Sequence, residues 1–394
     1  MKKKITAVLP AIVLAFSVSA CSGDAVAENK TVQSNENIAS SVAEVTETTE
    51  ATEETEATKE MKTTETTEVA DATETIEITE GADVAEAAEE IVYFLSNPNA
   101  SKAAVELYDY ICETYGSAII SGQQESTWMG SDQYEFEYIY ENTGKYPAIR
   151  GLDYMNDDFK GVNERAADWH DRGGIVTICW HCGCDFSGSW DECMKTEIAD
   201  WDKSLTEGTP EYEKLIAGMD KAAEALKELK EQNIPVLWRP FHELDGGWFW
   251  WGKGGAENFK KLWIIMYDRY TDYWELDNLI WVLGYSGNGR NYDKWYPGDE
   301  YVDIIGADSY SDGANEKLYQ LVADAVEKKM PICFHECGRI PTVQQLQDSK
   351  AEWVWFMTWH TEYITDGNDI NDLKNIYNDE YVITLDKLPQ LNEE

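Results

Sequence analysis

The chain reads as an α/β protein, a (β/α)8 barrel of the TIM type over residues 91–394, preceded by a secretory signal peptide and a disordered Thr/Glu-rich linker. Three observations predict this. Eight short apolar runs recur between Ala118 and His360. Longer amphipathic stretches with helix start and stop signals separate them. The part with globular composition has about 300 residues, the size of one such barrel.

The N-terminus, Met1 to Ala20, puts three lysines before a short apolar stretch and then small residues. This is the layout of a secretory signal peptide, too short and wrongly flanked to span a membrane. It ends in Val18-Ser19-Ala20-Cys21, which resembles the lipobox of bacterial lipoproteins. That resemblance implies that Cys21 becomes the mature N-terminus and carries lipid. The protein is then expected outside the cell, held to the membrane through that lipid only. The other reading is ordinary signal cleavage with no role for Cys21.

Residues 21–90 form the linker. Positions 41–80 hold 13 Thr and 12 Glu, and no aromatic residue occurs between Phe16 and Tyr93. Such a segment cannot bury enough apolar surface to offset the entropy of ordering it. It contributes much of the net charge of −43, which argues against nucleic acid as a partner. A monomer is expected.

The eight strand candidates are Ala118–Ser121, Pro147–Asp153, Gly174–His181, Ile234–Glu243, Asn278–Ser286, Val302–Tyr310, Met330–Gly338 and Trp353–His360. Near-continuous apolar runs suit strands buried on both faces of a parallel sheet. Between the third and fourth, Thr209-Pro210-Glu211 supplies an N-cap, a proline at the first helical position and an acid in the first turn. Tyr212, Leu215, Ile216, Met219, Ala223, Leu226 and Leu229 then repeat at helical spacing, and Asn233 closes the helix before Pro235. Phe259, Leu262, Trp263 and Met266 mark a second helix, and Leu318, Leu321, Val322 and Val326 a third. An open doubly wound sheet is the alternative, but its glycine fingerprint is missing after the first strand, where Ser121-Gly122-Gln123-Gln124 stands.

In a (β/α)8 barrel the chemistry gathers where strands end. The strand ends here are Gln123-Gln124, Asp153, His181, His242-Glu243, Ser286, Tyr310, Glu336 and Trp359-His360. Glu243 closes the fourth run and Glu336 the seventh, so the two face each other across the barrel mouth. Paired carboxylates flanking a bond are the machinery of glycoside hydrolysis. A single strand-end glutamate is more often a structural ion-pair partner, with Arg150 or Arg239 available here. Two at these strands, beside a cluster of indoles, point to catalysis.

The cluster follows Glu243 directly. Residues 246–255 carry Trp248, Trp250 and Trp251 among five glycines. A sugar ring has an apolar C–H face that an indole covers and a belt of hydroxyls that polar side chains bond. Trp248 is the ring expected to face the ligand, with at least one other packing beneath the loop. The segment from Cys182 to Gly208 is long for a connection in a compact domain and is expected to be functional. Its Trp190 is a second stacking candidate. Cys179, Cys182, Cys184 and Cys193 fit no zinc spacing and are read as thiols or one local disulfide. No metal or organic cofactor is expected.

Arg239-Pro240-Phe241-His242-Glu243 followed by Gly247-Trp248-Phe249-Trp250-Trp251-Gly252 resembles the acid/base motif of glycoside hydrolase family 26, mostly endo-β-1,4-mannanases. Ser121-Gly122-Gln123, Trp180-His181, Tyr296-Pro297-Gly298-Asp299 and Gly306-Ala307-Asp308-Ser309-Tyr310 extend the match, over roughly residues 96–388. The resemblance implies a retaining hydrolase with Glu243 as general acid/base and Glu336 as nucleophile. It implies that His242 contacts sugar hydroxyls near the cut and that Tyr310 hydrogen-bonds Glu336. His181 and Trp248 would line the sugar site on the non-reducing side, with Trp359 as its platform. The expected substrate is β-mannan. Mixed-linkage β-glucan and β-1,3-xylan lie within the family's range. A surface glycan-binding lipoprotein without activity would be expected to have lost one carboxylate, and both are present.

Overall fold

The computed structural model describes residues 93–390, apart from Lys328. The expected signal peptide, Cys21 and the linker lie outside the described residues. Eight parallel strands follow the chain around a closed barrel: β1 (Ile119–Gln124), β2 (Ile149–Asp153), β3 (Ile175–Cys179), β4 (Val236–Arg239), β5 (Leu279–Ser286), β6 (Ile304–Ser309), β7 (Ile332–Cys337) and β8 (Trp355–Thr358). Closure is explicit in the register, because β1 pairs with β2 through Gly122↔Ile149 and with β8 through Ile120↔Trp355. Each of the eight apolar runs contributes one strand. A two-residue strand, β9 (Val382–Ile383), adds to β1. It is too short to leave a periodic signal in sequence.

The strands bury both faces by alternation. Ile120, Leu237, Ile280, Val282 and Ile304 belong to one cluster, which the helix Lys102–Thr114 joins through Leu107, Tyr108 and Ile111. Ile119, Val236, Trp238, Leu279 and Trp281 belong to a second, shared with the surrounding helices. The helix Pro210–Glu231 forms as its signals require. The Thr209 hydroxyl accepts from Tyr212 N at 3.1 Å, and Asn233 takes the left-handed φ of 58° that ends the segment. The second expected helix spans Ala256–Asp268. The third is shorter than expected, Glu316–Ala323, with Val326 beyond its end and Leu321 exposed.

Two departures from regular strand geometry position the site. The fourth run was expected to stay extended to Glu243, but β4 stops at Arg239. Phe241 and Glu243 both adopt φ of 50°, a left-handed conformation that bulky residues rarely take outside functional turns. The second lies in β7. Ile332 and Phe334 face the outer cluster, so strict alternation would send Glu336 outward as well. The register slips between Phe334 and Cys337 against β8, and between Ala307 and Asp308 on the β6 side. This irregularity turns Glu336 inward, where it meets Arg239 of β4.

Candidate active site

Arg239 is the hub of the barrel mouth. Fully buried, it pairs with Asp308 of β6 and with Glu336, whose Oε1 lies 2.8 Å from Arg239 Nη1. The Tyr310 hydroxyl donates to the other oxygen, Glu336 Oε2, at 2.9 Å. One carboxylate is thus held from both sides, by a guanidinium from β4 and a phenol from the loop after β6. Burial, followed by the charge of Glu336, keeps the Tyr310 hydroxyl protonated far above neutral pH, so it remains a donor. Its ring stands open to solvent at the mouth, 44% exposed.

Glu243 is different. Burial pushes its carboxyl up to about 7, and the negative charge of Glu336 adds to the shift. Trp248 opposes it, because its indole Nε1 donates to Glu243 Oε2 at 2.7 Å and favours the ionised form. Gly246 makes this approach possible, since a Cβ there would collide with the Trp248 ring. Asp245 ties the loop down by accepting from Ser286 N at 2.7 Å, at the end of β5.

A histidine pair lies beside the carboxylates. His181 Nδ1 is 2.6 Å from Asp153 Oδ2, and His181 Nε2 is 2.9 Å from His242 Nε2. Burial, the largest influence, would lower the His181 pKa, but the Asp153 charge and hydrogen bond together with the charges of Glu336 and Glu243 outweigh it and the net shift is upward. His242 is pushed well below its ordinary value by burial, then by Arg239 and His181. Asp153 holds a proton on His181 Nδ1, and the contact with neutral His242 runs between the two Nε2 atoms. His242 Nε2 also lies 4.0 Å from Glu336 Oε1.

The aromatic residues divide into two groups. Trp250 and Trp251 are fully buried, and their indole N–H groups donate to the carbonyls of Cys182 at 2.9 Å and His242 at 2.8 Å. They are the floor that supports the loop. Trp248 and Trp359 are half-buried. The Trp359 ring centroid is 6.2 Å from that of His181. Trp190 stands apart from this ring cluster, half-exposed on the short helix Trp190–Lys195.

The expected site residues Glu243, Glu336, His181, His242, Trp248, Tyr310 and Trp359 therefore converge at one end of the barrel. Sequence reasoning gave no role to Asp153 or Asp308 and treated Arg239 only as a competing ion-pair partner. Asp153 was visible as a strand end. Asp308 was visible only as a member of a longer motif. None of the seven described cysteines forms a disulfide. Among the described residues two groups offer metal-ligand chemistry, Asp153–Cys179–His181 and Asp308–His335–Glu336. In the first, His181 Nδ1 is already engaged by Asp153; in the second, the Arg239 guanidinium already pairs with both carboxylates.

A parallel barrel with two carboxyl groups at its mouth, one held protonated near neutrality and the other braced by a cation and a phenol, defines a glycoside hydrolase. The model of Glycosyl hydrolase family 26 matches residues 96–387, and the chain belongs to that family. It is 36% identical over 316 residues to a mannan endo-1,4-beta-mannosidase of Thermothelomyces thermophilus, covering 75% of this chain and 63% of that one. It is also 36% identical over 315 residues to mannan endo-1,4-beta-mannosidase B of Piromyces sp, covering 76% and 54%. The chain thus spans roughly half to two-thirds of these relatives' length. Among solved structures it is similar to the Podospora anserina GH26-CBM35 beta-(1,4)-mannanase, with a TM-score of 0.69, 36% identity and coverage of 76% of this chain and 70% of that one.

Proposed function

We propose that the chain is a retaining endo-β-1,4-mannanase that cuts internal bonds of mannan, glucomannan or galactomannan by double displacement. The single observation that carries this is a pair of carboxyl groups in different surroundings at a mouth walled by indoles, Glu243 buried against Trp248 and Glu336 braced by Arg239 and Tyr310. The names of the relatives supply the polymer.

Glu336 Oε attacks the anomeric carbon while protonated Glu243 gives its proton to the departing glycosidic oxygen. The glycosidic C–O bond breaks as the C–O bond to Glu336 forms. Glu243, now ionised, takes a proton from water, and the hydroxide equivalent releases the sugar from Glu336. Arg239 and Tyr310 orient the nucleophile and stabilise its negative charge before the attack and again as the sugar leaves. His181 and Trp248 line the sugar on the non-reducing side, Trp359 lies beneath it, and His242 contacts hydroxyls next to the cut. Trp190 is a more distant stacking candidate on the same cleft.

Since Glu243 must carry its proton in the first step, kcat/KM is expected to fall as pH rises through about 7. Trp248→Phe removes a hydrogen bond that lowers the Glu243 pKa, so the alkaline limb should move to higher pH. A pH–rate profile of both proteins checks this; a limb that stays put or moves down counts against Glu243 as the acid. Reducing-sugar release from glucomannan, lichenan and xylan, measured side by side, tests the polymer. Faster release from lichenan or xylan than from glucomannan would replace the mannan reading with its alternatives. The lipid anchor on Cys21 and the extracellular, membrane-held location rest on the lipobox-like Val18-Ser19-Ala20-Cys21 alone. Intact mass of the mature chain tests both.

A further inference from the structure

Trp128 is among the most exposed tryptophans in the described chain, at 53%, and sits in the loop that follows β1. Its position is built rather than incidental. The buried Glu135 carboxylate binds two loops at once. It accepts from Ser126 Oγ at 2.6 Å and Ser126 N at 3.1 Å, just before Trp128, and from Thr361 N at 2.9 Å, just after β8. Thr361 is held at φ 53°, a strained conformation for a β-branched residue. The clamp sets the Trp128 ring edge-on to His360, with centroids 4.8 Å apart. His360 in turn lies against Trp359, with centroids 4.9 Å apart. Three rings thus run outward from the catalytic carboxylates, across the ends of β8 and β1. The two steps between them are on the scale of successive sugar units in a polysaccharide.

We propose that Trp128, fixed by the Glu135 clamp and backed by His360, is a stacking platform for a further sugar of the bound polysaccharide, on the same side of the cut as Trp359. An exposed indole left uncovered in the free protein gains by covering the C–H face of a pyranose. Neutral His360, whose pKa burial lowers, offers the adjoining hydroxyls a donor or an acceptor. Binding at this platform helps only substrates long enough to reach it. Glu135 acts as a positioning residue, since it touches the two loops and not the sugar. The inference rests on the polysaccharide-hydrolase reading above.

The test is kcat/KM of the full chain on β-1,4-manno-oligosaccharides of increasing length, with β-linked gluco-oligosaccharides in parallel. Trp128→Ala should shrink the advantage of the longest over the shortest cleaved substrate by about five- to tenfold. The loss should appear mainly in KM, and Trp128→Phe should restore most of it. Glu135→Gln should show a smaller loss with the same length dependence. A long-to-short ratio equal to that of the wild type overturns the proposal, as does a loss of equal size at every length. A wild type that cuts only the gluco-series fails the mannan reading while still scoring Trp128. A wild type that cuts neither series removes the hydrolase reading, and this inference with it.

Discussion

Glu336→Ala should lower kcat by about 10⁴-fold or more on any substrate the wild type cleaves, while leaving the folded structure in place. The loss is large because the covalent route has no substitute nucleophile at that position. The neighbouring acids are committed elsewhere: Asp308 is paired with Arg239, and Glu243 is needed as the acid. The fold is expected to survive because Arg239 keeps Asp308 as a counterion when Glu336 is removed, so no buried charge is left alone. Circular dichroism and thermal unfolding report the second half of the expectation and initial rates the first. Turnover near the wild-type level in a folded variant would refute the nucleophile assignment.

Glu243→Ala should cost about 10²- to 10⁴-fold on polysaccharide, the range expected when a general acid/base is lost. The loss should depend on the leaving group. An aryl glycoside whose phenolate departs without a proton bypasses the acid in the first step. The second step still lacks its base, so glycosyl-enzyme accumulates and a burst of phenolate precedes slow turnover. An added anion that attacks without deprotonation, such as azide, should restore steady turnover. Equal losses on both substrate types, with neither burst nor rescue, would show that Glu243 does not handle the proton.

The barrel was legible in sequence because the barrel strands are buried on both faces and several helices carry their own caps. Apolar runs such as Gly174–His181 and signals such as Thr209-Pro210 are local, and local physics suffices to read them. The aromatic loop was legible in part. Composition announced a sugar-binding wall, but the roles of its indoles depend on partners far along the chain. Trp250 is anchored by the carbonyl of Cys182 and becomes floor; Trp248 meets Glu243 and lines the mouth. Trp128 escaped notice because its neighbour His360 lies on the other side of the barrel's closing seam, more than two hundred residues away.

The order of eight strands, the two glutamates and the indoles beside them were determined by the sequence alone, since residue type and periodicity encode burial directly. Where those glutamates point, and which of them holds a proton, was decided only by the tertiary structure. Simple alternation would have turned Glu336 away from the mouth, and a strand continued to Glu243 would have carried that residue past it. A register slip in β7 and a left-handed turn after β4 bring both back. Such irregularities hold because side chains from several strands and loops pair across the mouth, Arg239 with Asp308 and Glu336, and Tyr310 with Glu336. Burial and the neighbouring charge of Glu336 then raise the proton affinity of Glu243, because proton affinity follows surroundings as well as residue type.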